Sequence, residues 1–266
     1  MKIYLCQLEI KENRPGENRS AVAELMAASS PAAGSLVILP EMFSTGFTAD
    51  PRLTDNRLYK EDAVFLSGLS QQYRVNILGS SISCTPSLTK KYKNLSLLFS
   101  VDGKPVTEYT KIYPFSYGGE HKKFTAGQKP VTAEISGLTV FPTLCYDLRF
   151  PELYRAGAAL GAELFTVQAN WPAGREEHWL TLLQARAIEN QCWVAGVNCI
   201  GTVSKTECRG RSVLVSPYGR ITNDGRDQAG MFSSDIKKEI AVKWRQKFPA
   251  LKDRKKADFY SRAYGK

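Results

Sequence analysis

Histidine is almost missing from this chain: 266 residues contain two, His121 and His178. Its six cysteines, at positions 6, 84, 145, 192, 199 and 208, include no C-x-x-C pair. A structural zinc or iron–sulfur site needs four clustered soft ligands, and a catalytic zinc needs three plus water. Metal chemistry through His and Cys is therefore disfavoured. There is no G-x-x-x-x-G-K-[ST] loop, no G-x-G-x-x-G turn and no G-x-S-x-G elbow, so the usual phosphate cradles and the common serine-hydrolase turn are lacking. No apolar run approaches the length of a membrane span. The first residues, Met1-Lys2-Ile3-Tyr4-Leu5-Cys6-Gln7, do not read as a secretory signal. These features lead us to expect a cytoplasmic protein with reduced thiols.

What is present is ordinary for a globular protein: 43% hydrophobic and 23% charged residues. A chain of this length can bury a core that needs no disulfides. The formal charge of +10 invites a nucleic-acid reading, but its location argues otherwise. Residues 243–266 hold nine Lys or Arg against two Asp, and the other 242 residues are only +3. The excess is thus a basic C-terminal tail, which is more often solvated than bound to a polyanion.

Neither a low-complexity linker nor a clear repeat divides the chain, which reads as a single domain over 1–266. Strand patterns cover Lys2–Leu8, Ser35–Leu39, Val75–Ser83, Tyr92–Ser100, Val106–Tyr109, Leu138–Cys145, Leu164–Gln168, Trp193–Val197 and Arg211–Val215. Helical spacing covers Glu17–Ser29, Glu61–Tyr73, Glu152–Leu160 and Glu176–Asn190. Asp102-Gly103-Lys104 and Pro217-Tyr218-Gly219-Arg220 read as turns, and Gly230–Ser234 leads toward a helix starting near Asp235. Alternating strands and helices with hairpin-linked pairs predict an α/β protein with a mixed sheet covered by helices.

Function concentrates just past strand ends, and three of these carry chemistry. In Leu39-Pro40-Glu41-Met42-Phe43-Ser44-Thr45-Gly46-Phe47, a carboxylate follows an apolar strand, where desolvation makes it a usable base. In Glu108-Tyr109-Thr110-Lys111-Ile112-Tyr113-Pro114-Phe115, a lysine sits among aromatic and apolar neighbours and can serve a developing oxyanion. In Leu144-Cys145-Tyr146-Asp147-Leu148-Arg149-Phe150-Pro151-Glu152, a thiol closes a strand where a helix begins. Each residue has a plain alternative: a solvated carboxylate, a snorkelling lysine, a small core thiol.

Together the three segments resemble the signature of the nitrilase (carbon–nitrogen hydrolase) superfamily, over nearly the whole chain. Further matching segments are Gly119-Glu120-His121-Lys122-Lys123-Phe124, Ala169-Asn170-Trp171-Pro172, Arg186-Ala187 with Glu189-Asn190-Gln191, and Gly210, Ser212, Pro217 and Gly219. The resemblance implies a four-layer α-β-β-α sandwich of the nitrilase type and a homodimer paired through outer helices. It also implies a Glu41–Lys111–Cys145 triad with Glu120 as a second glutamate. Cys145 would attack an amide carbonyl, Glu41 would move protons, and Lys111 with the Tyr146 N–H would hold the oxyanion. Glu120 would orient the site, with no metal and no organic cofactor.

The run PEMFSTGF, CYDLRFPE and ANWPA, with Arg175 and His178-Trp179, most resembles the omega-amidase branch, which hydrolyses 2-oxoglutaramate or 2-oxosuccinamate. Such a substrate carries a carboxylate, so a guanidinium is expected near the thiol. Arg149 is the leading candidate and Arg175 the alternative, and either could instead form a structural salt bridge. Phe43, Phe47, Phe115 and Trp171 are candidate apolar walls. His121 is expected to support Glu120, His178 to pack or cap, and Arg186, Glu189 and Asn190 to be structural. Two other readings stay open: an N-carbamoyl amine or amino-acid hydrolase or nitrilase, and a non-catalytic scaffold whose basic tail binds nucleic acid.

Overall fold

The computed structural model of the chain describes residues 1–47, 56–84 and 92–255. The N-terminal stretch runs β1 (Lys2–Gln7), α1 (Pro15–Ser29), β2 (Leu36–Ile38), α2 (Arg57–Tyr73), β3 (Asn76–Cys84), β4 (Tyr92–Phe99) and β5 (Pro105–Thr110). A one-turn helix α3 (Glu120–Lys123) leads to β6 (Ala133–Ile135), β7 (Leu138–Leu144), α4 (Pro151–Ala159), β8 (Leu164–Ala169), α5 (Glu176–Asn190) and β9 (Trp193–Asn198). There follow β10 (Ile200–Val203), β11 (Thr206–Arg209), β12 (Val213–Val215), β13 (Ile221–Asp224), β14 (Gly230–Asp235) and α6 (Lys238–Lys247).

Two six-stranded sheets form, ordered β14-β1-β2-β3-β4-β5 and β13-β12-β9-β8-β7-β6. Each has three parallel strands, β1-β2-β3 or β7-β8-β9, flanked by antiparallel partners. The two-residue period of a strand sends successive side chains to opposite faces, and β1 uses both. Ile3 and Leu5 join Leu36, Leu78, Val140, Leu164 and Leu214 in the core between the sheets. Tyr4 and Cys6 face the other way, packing with Val22 and Met26 of α1 and Leu66 of α2. On the second sheet, Phe141, Phe165 and Val194 pack under Leu153 and Tyr154 of α4 and Trp179 and Leu183 of α5. The layers are therefore helix, sheet, sheet, helix, as the sequence resemblance implied.

Buried strands without alternation need both faces covered, and here they have it. A buried polar link also joins the sheets: Gln168 of β8 donates from Nε2 to the carbonyls of Leu39 (2.8 Å) and Leu78 (3.3 Å) and accepts from the Ser96 hydroxyl.

Several boundaries differ from expectation, two of them for a visible reason. Asp235 ends β14, paired with Lys2 of β1, and the helix begins only at Lys238. The strand expected from Arg211 starts at Val213. Arg211 itself has φ 57° and its guanidinium binds Glu176 and Asp224, so it anchors β12 to α5 rather than extending the strand. Part of the basic tail, 256–266, lies outside the described residues. Within the described part, Arg245 of α6 donates to the carbonyls of Ala162, Asn190 and Gln191, serving the α5 C-terminus. Among the described residues no helix is long and apolar enough to cross a membrane.

Candidate active site

Glu41 lies three residues beyond β2, on a turn that the surroundings pin from several sides. Met42 takes φ 46°, a left-handed conformation costly for a side-chain-bearing residue. Its N–H donates to the Ser80 hydroxyl (3.0 Å). Ser44 donates to the buried Asp62 (2.7 Å), and Asn18 donates to the Ser44 carbonyl (2.8 Å). Burial pushes the Asp62 carboxyl up, opposed by hydrogen bonds from Ser81 and Ser44 and by Arg19.

Lys111 is the first residue after β5. Its N–H donates to the Asn94 carbonyl (2.9 Å) and its own carbonyl accepts from Gly127 (2.8 Å). A Cβ at Gly127 would lie 2.1 Å from the Thr110 oxygen, so only glycine lets the returning chain press on this strand exit. Cys145 begins a 3₁₀ turn, Cys145–Arg149, at φ 44°. Asp147 of that turn reaches back to the Leu144 N–H (2.9 Å). It also accepts from the Tyr109 hydroxyl (2.7 Å) and the Tyr113 N–H (2.9 Å), tying the thiol turn to the lysine strand. Arg186 of α5 holds the other end, donating twice to the Leu148 carbonyl (3.1 and 2.8 Å).

The ionisable groups meet as follows. Lys111 Nζ lies 2.8 Å from Glu41 Oε1 and 2.8 Å from Glu120 Oε2, all three side chains being at most 3% exposed. Glu120 opens α3, and its Oε2 also accepts from the Phe115 N–H (2.5 Å). Asn94 donates to both carboxylates. Glu41 Oε2 accepts from the Asn170 N–H (3.2 Å), and the Asn170 side chain donates to the Glu41 carbonyl (3.0 Å).

Burial would by itself lower the Lys111 pKa, but Glu120 and Glu41 outweigh it and hold the ammonium charged. The Cys145 thiol is pushed well above its ordinary value by burial and then by Glu41, with Lys111 and the Asn170 N–H pulling the other way. Cys145 is thus held as a thiol near a buried carboxylate and a cation. Amides that open a helix lack partners within it, which leaves the Tyr146 N–H suited to an oxyanion.

Glu41, Lys111, Glu120 and Cys145 line one cleft of about 410 Å³, with Phe47, Phe115, Tyr146, Arg149, Trp171 and Arg175 also on its wall. The structure therefore brings these ten sequence-predicted residues together and leaves out one candidate wall residue, Phe43. Arg149 lies 4.8 Å from the centre of the Trp171 ring and Arg175 5.9 Å from that of Phe115. Among the described residues neither guanidinium is in an ion pair, so neither is a structural salt bridge. Burial and then Arg175 lower the Arg149 pKa, the response of a cation that lacks an anion. Arg149 also meets His178 Nδ1 at 3.4 Å.

Two expectations fail. Phe43 is fully buried against Phe65 under α2, because the turn at Met42 sends it to the core instead of the cleft. His121 lies exposed on α3, away from the buried Glu120. Sequence reading also missed Asn94, gave Asn170 no role within its matching segment, and missed the hairpin β10–β11, which brings Val203, Ser204, Thr206 and Cys208 to the wall. Its turn, Ser204 (φ 48°) and Lys205 (φ 64°), docks through the Ser204 hydroxyl on the Phe47 carbonyl (2.6 Å). Among the described residues no cluster of three or more His, Cys, Asp or Glu is arranged for a metal ion.

The family model for carbon–nitrogen hydrolases matches residues 2–246. The chain belongs to the carbon–nitrogen hydrolase family. It is 30% identical over 262 residues to the 2-oxoglutaramate amidase of Bacillus subtilis, covering 97% of this chain and 98% of that protein. It is 35% identical over 221 residues to the omega-amidase YafV of Yersinia enterocolitica, covering 82% and 83%. Among solved structures it superimposes on XC1258 of Xanthomonas campestris, a CN-hydrolase superfamily protein with an arsenic adduct in its active site. There the TM-score is 0.87, with 30% identity, 96% of this chain and 97% of that one. Membership in the carbon–nitrogen hydrolases fits the four layers and the paired glutamates around one lysine.

Proposed function

We propose that the protein is an omega-amidase, hydrolysing the terminal amide of 2-oxoglutaramate or 2-oxosuccinamate. The observation that carries this reading is one cleft lined by Cys145, Glu41, Lys111 and Glu120 and also by two guanidiniums that have no ion pair among the described residues. The names of the two relatives support the same substrate class.

In this mechanism Cys145 Sγ bonds to the amide carbon as its proton passes to Glu41. Lys111 Nζ and the Tyr146 N–H bind the resulting oxyanion; one such donor is typically worth about 10²–10³ in rate. Collapse breaks the C–N bond, and the Glu41 proton leaves with the nitrogen as ammonia. Water then attacks the thioester, giving its proton to Glu41. The C–S bond breaks, the Glu41 proton returns to sulfur, and the product departs as the carboxylic acid, which ionises in water. Glu120, whose oxygens are occupied by Lys111, Asn94 and the Phe115 N–H, orients the lysine. Arg149 or Arg175 binds the distal carboxylate; Phe47, Phe115, Tyr146 and Trp171 shape the channel.

We further propose that residues 1–266 act as a single domain and pair as a homodimer in the cytoplasm. Exposed Ile188, Tyr218 and Phe248 on the α5–α6 side offer an apolar face for pairing, and the described cysteines are all free thiols. The deciding experiment is ammonia release from 2-oxoglutaramate beside glutamine, an N-carbamoyl amino acid and a simple nitrile, with Cys145→Ala as the blank. Fast release from 2-oxoglutaramate alone is expected. Release only from the carbamoyl compound or the nitrile would replace the substrate class, and turnover by Cys145→Ala would remove the nucleophile.

A further inference from the structure

Asn94 lies on the face of β4 that also carries Ser96 and Leu98, and is 1% exposed. Its Nδ2 donates one hydrogen bond to Glu41 Oε1 (2.7 Å) and the other to Glu120 Oε1 (3.0 Å). Its Oδ1 faces the Ser80 hydroxyl (3.5 Å), which itself accepts from the Met42 N–H. The amide can sit only this way round: turned over, its oxygen would oppose two carboxylate oxygens.

The consequence falls on the two oxygens of Glu41. Oε1 takes both Asn94 and Lys111, whereas Oε2 has only the longer contact from the Asn170 N–H. The trio of Glu41, Glu120 and Lys111 holds two carboxylates and one ammonium in a buried place. Unpaired buried charge is costly unless hydrogen-bonded, and Asn94 gives one N–H to each carboxylate without adding charge.

We propose that Asn94 is a positioning residue, which occupies Glu41 Oε1 and Glu120 Oε1 together so that Glu41 Oε2 is the atom that takes the Cys145 proton. This rests on the catalytic reading of Glu41 and Cys145 given above. The charged and titratable groups that meet Glu41 are Lys111 from the β5 exit, Glu120 from α3, Cys145 from the β7 exit and Cys199 after β9. Removing Asn94 leaves each of them in place. It takes from the two carboxylates the hydrogen bonds that favour their ionised forms, so the acidic limb of a rate that needs them ionised moves to higher pH.

Two variants and two readouts test this. Asn94→Asp keeps the shape but replaces the donor by an acceptor, and Asn94→Ala removes the group without adding charge. The readouts are the pH profile of kcat/KM on 2-oxoglutaramate and the pH-dependent rate at which iodoacetamide alkylates Cys145, the site being located by peptide mass. For Asn94→Ala both rates should fall about 10- to 100-fold, the size of a lost hydrogen bond to a charged group, and the acidic limb should rise by about one pH unit. Asn94→Asp should fall further at neutral pH and partly recover as the pH drops, because the protonated form of the introduced carboxyl regains a donor.

A wild-type profile in folded Asn94→Ala overturns the proposal, and so does a loss equal at every pH that tracks a lower melting temperature. If Asn94→Asp does not fold, Asn94→Ala decides. If the unaltered protein hydrolyses none of the amides, the substrate reading has failed, and the alkylation profile still judges Asn94.

Discussion

At the residue scale the cleft sets two guanidiniums near each other with, among the described residues, no carboxylate paired to either. A dicarboxylate-derived amide would supply the missing anion. Replacing the arginine that binds it by methionine should raise KM about 10- to 100-fold for 2-oxoglutaramate and leave an uncharged amide such as propionamide almost unaffected. Steady-state kinetics of Arg149→Met and Arg175→Met on both substrates decide which one it is. Equal losses on the two amides would mean that neither binds a carboxylate.

Asp147 permits a second test at this scale. Burial pushes its carboxyl up to about 6, with Lys111 and three hydrogen bonds opposing. The folded protein therefore binds a proton there that the unfolded chain, near pH 4 to 6, has already lost. On this site alone, stability rises as the pH falls from about 6 toward 4, by up to about 3 kcal/mol. Urea melts of the protein and of Asp147→Asn at pH 7 and pH 5 check this (the buffers chosen on either side of the shifted value). The gain at the lower pH should be smaller in the variant, and an identical pH dependence would contradict the assignment.

The scale of elements shows why some of the site could be read directly and some could not. Glu41 and Cys145 each follow an apolar strand and Lys111 follows a strand into an aromatic segment, and a polar residue at such a place is visible in one dimension. Asn94 is different: its partners lie 53 and 26 positions away, and only the pairing of β3, β4 and β5 brings them together. The hairpin IGTV-SK-TECR has short strands with little apolar alternation, so its contribution to the wall was hidden. Phe43 was misplaced because one left-handed residue, Met42, reverses the side on which the next ring emerges.

Close packing of α5 on β9 is testable at the same scale. A methyl at Gly196 would stand 2.5 Å from Leu183 Cδ1 and 2.8 Å from the Trp179 ring, both side chains fully buried or nearly so. Gly196→Ala should cost about 1–3 kcal/mol, measured by chemical denaturation. An unchanged midpoint would mean that α5 shifts freely. Because α5 also carries Arg186, which grips the Leu148 carbonyl, some loss of activity should accompany the loss of stability.

At the scale of the whole molecule, the polar residues of the cleft are divided between the two sheets. Glu41 and Lys111 come from exits of the first, Cys145 and Asn170 from exits of the second. The four-layer class was legible because helices and strands alternate with hairpins. The matching strand patterns of the two sheets were not, since side-chain identity does not repeat. Pairing through the α5–α6 face predicts a dimer in sedimentation velocity, and Ile188→Glu with Phe248→Glu should yield an active or weakened monomer. A monomer before substitution would remove this face as the interface.

The strand β14 has a bearing on how the protein is made. It pairs with β1, from Gly230↔Gln7 to Asp235↔Lys2, so the chain's earliest strand waits for one of its latest. During synthesis β1 stays an open edge, able to capture stray strands, until more than two hundred further residues have left the ribosome. A product truncated before Gly230 would carry every one of Glu41, Lys111, Glu120 and Cys145 and still lack the edge strand of the first sheet. Translation thus delivers the chemistry early and the architecture last, which makes prematurely terminated chains candidates for chaperone capture rather than for partial activity.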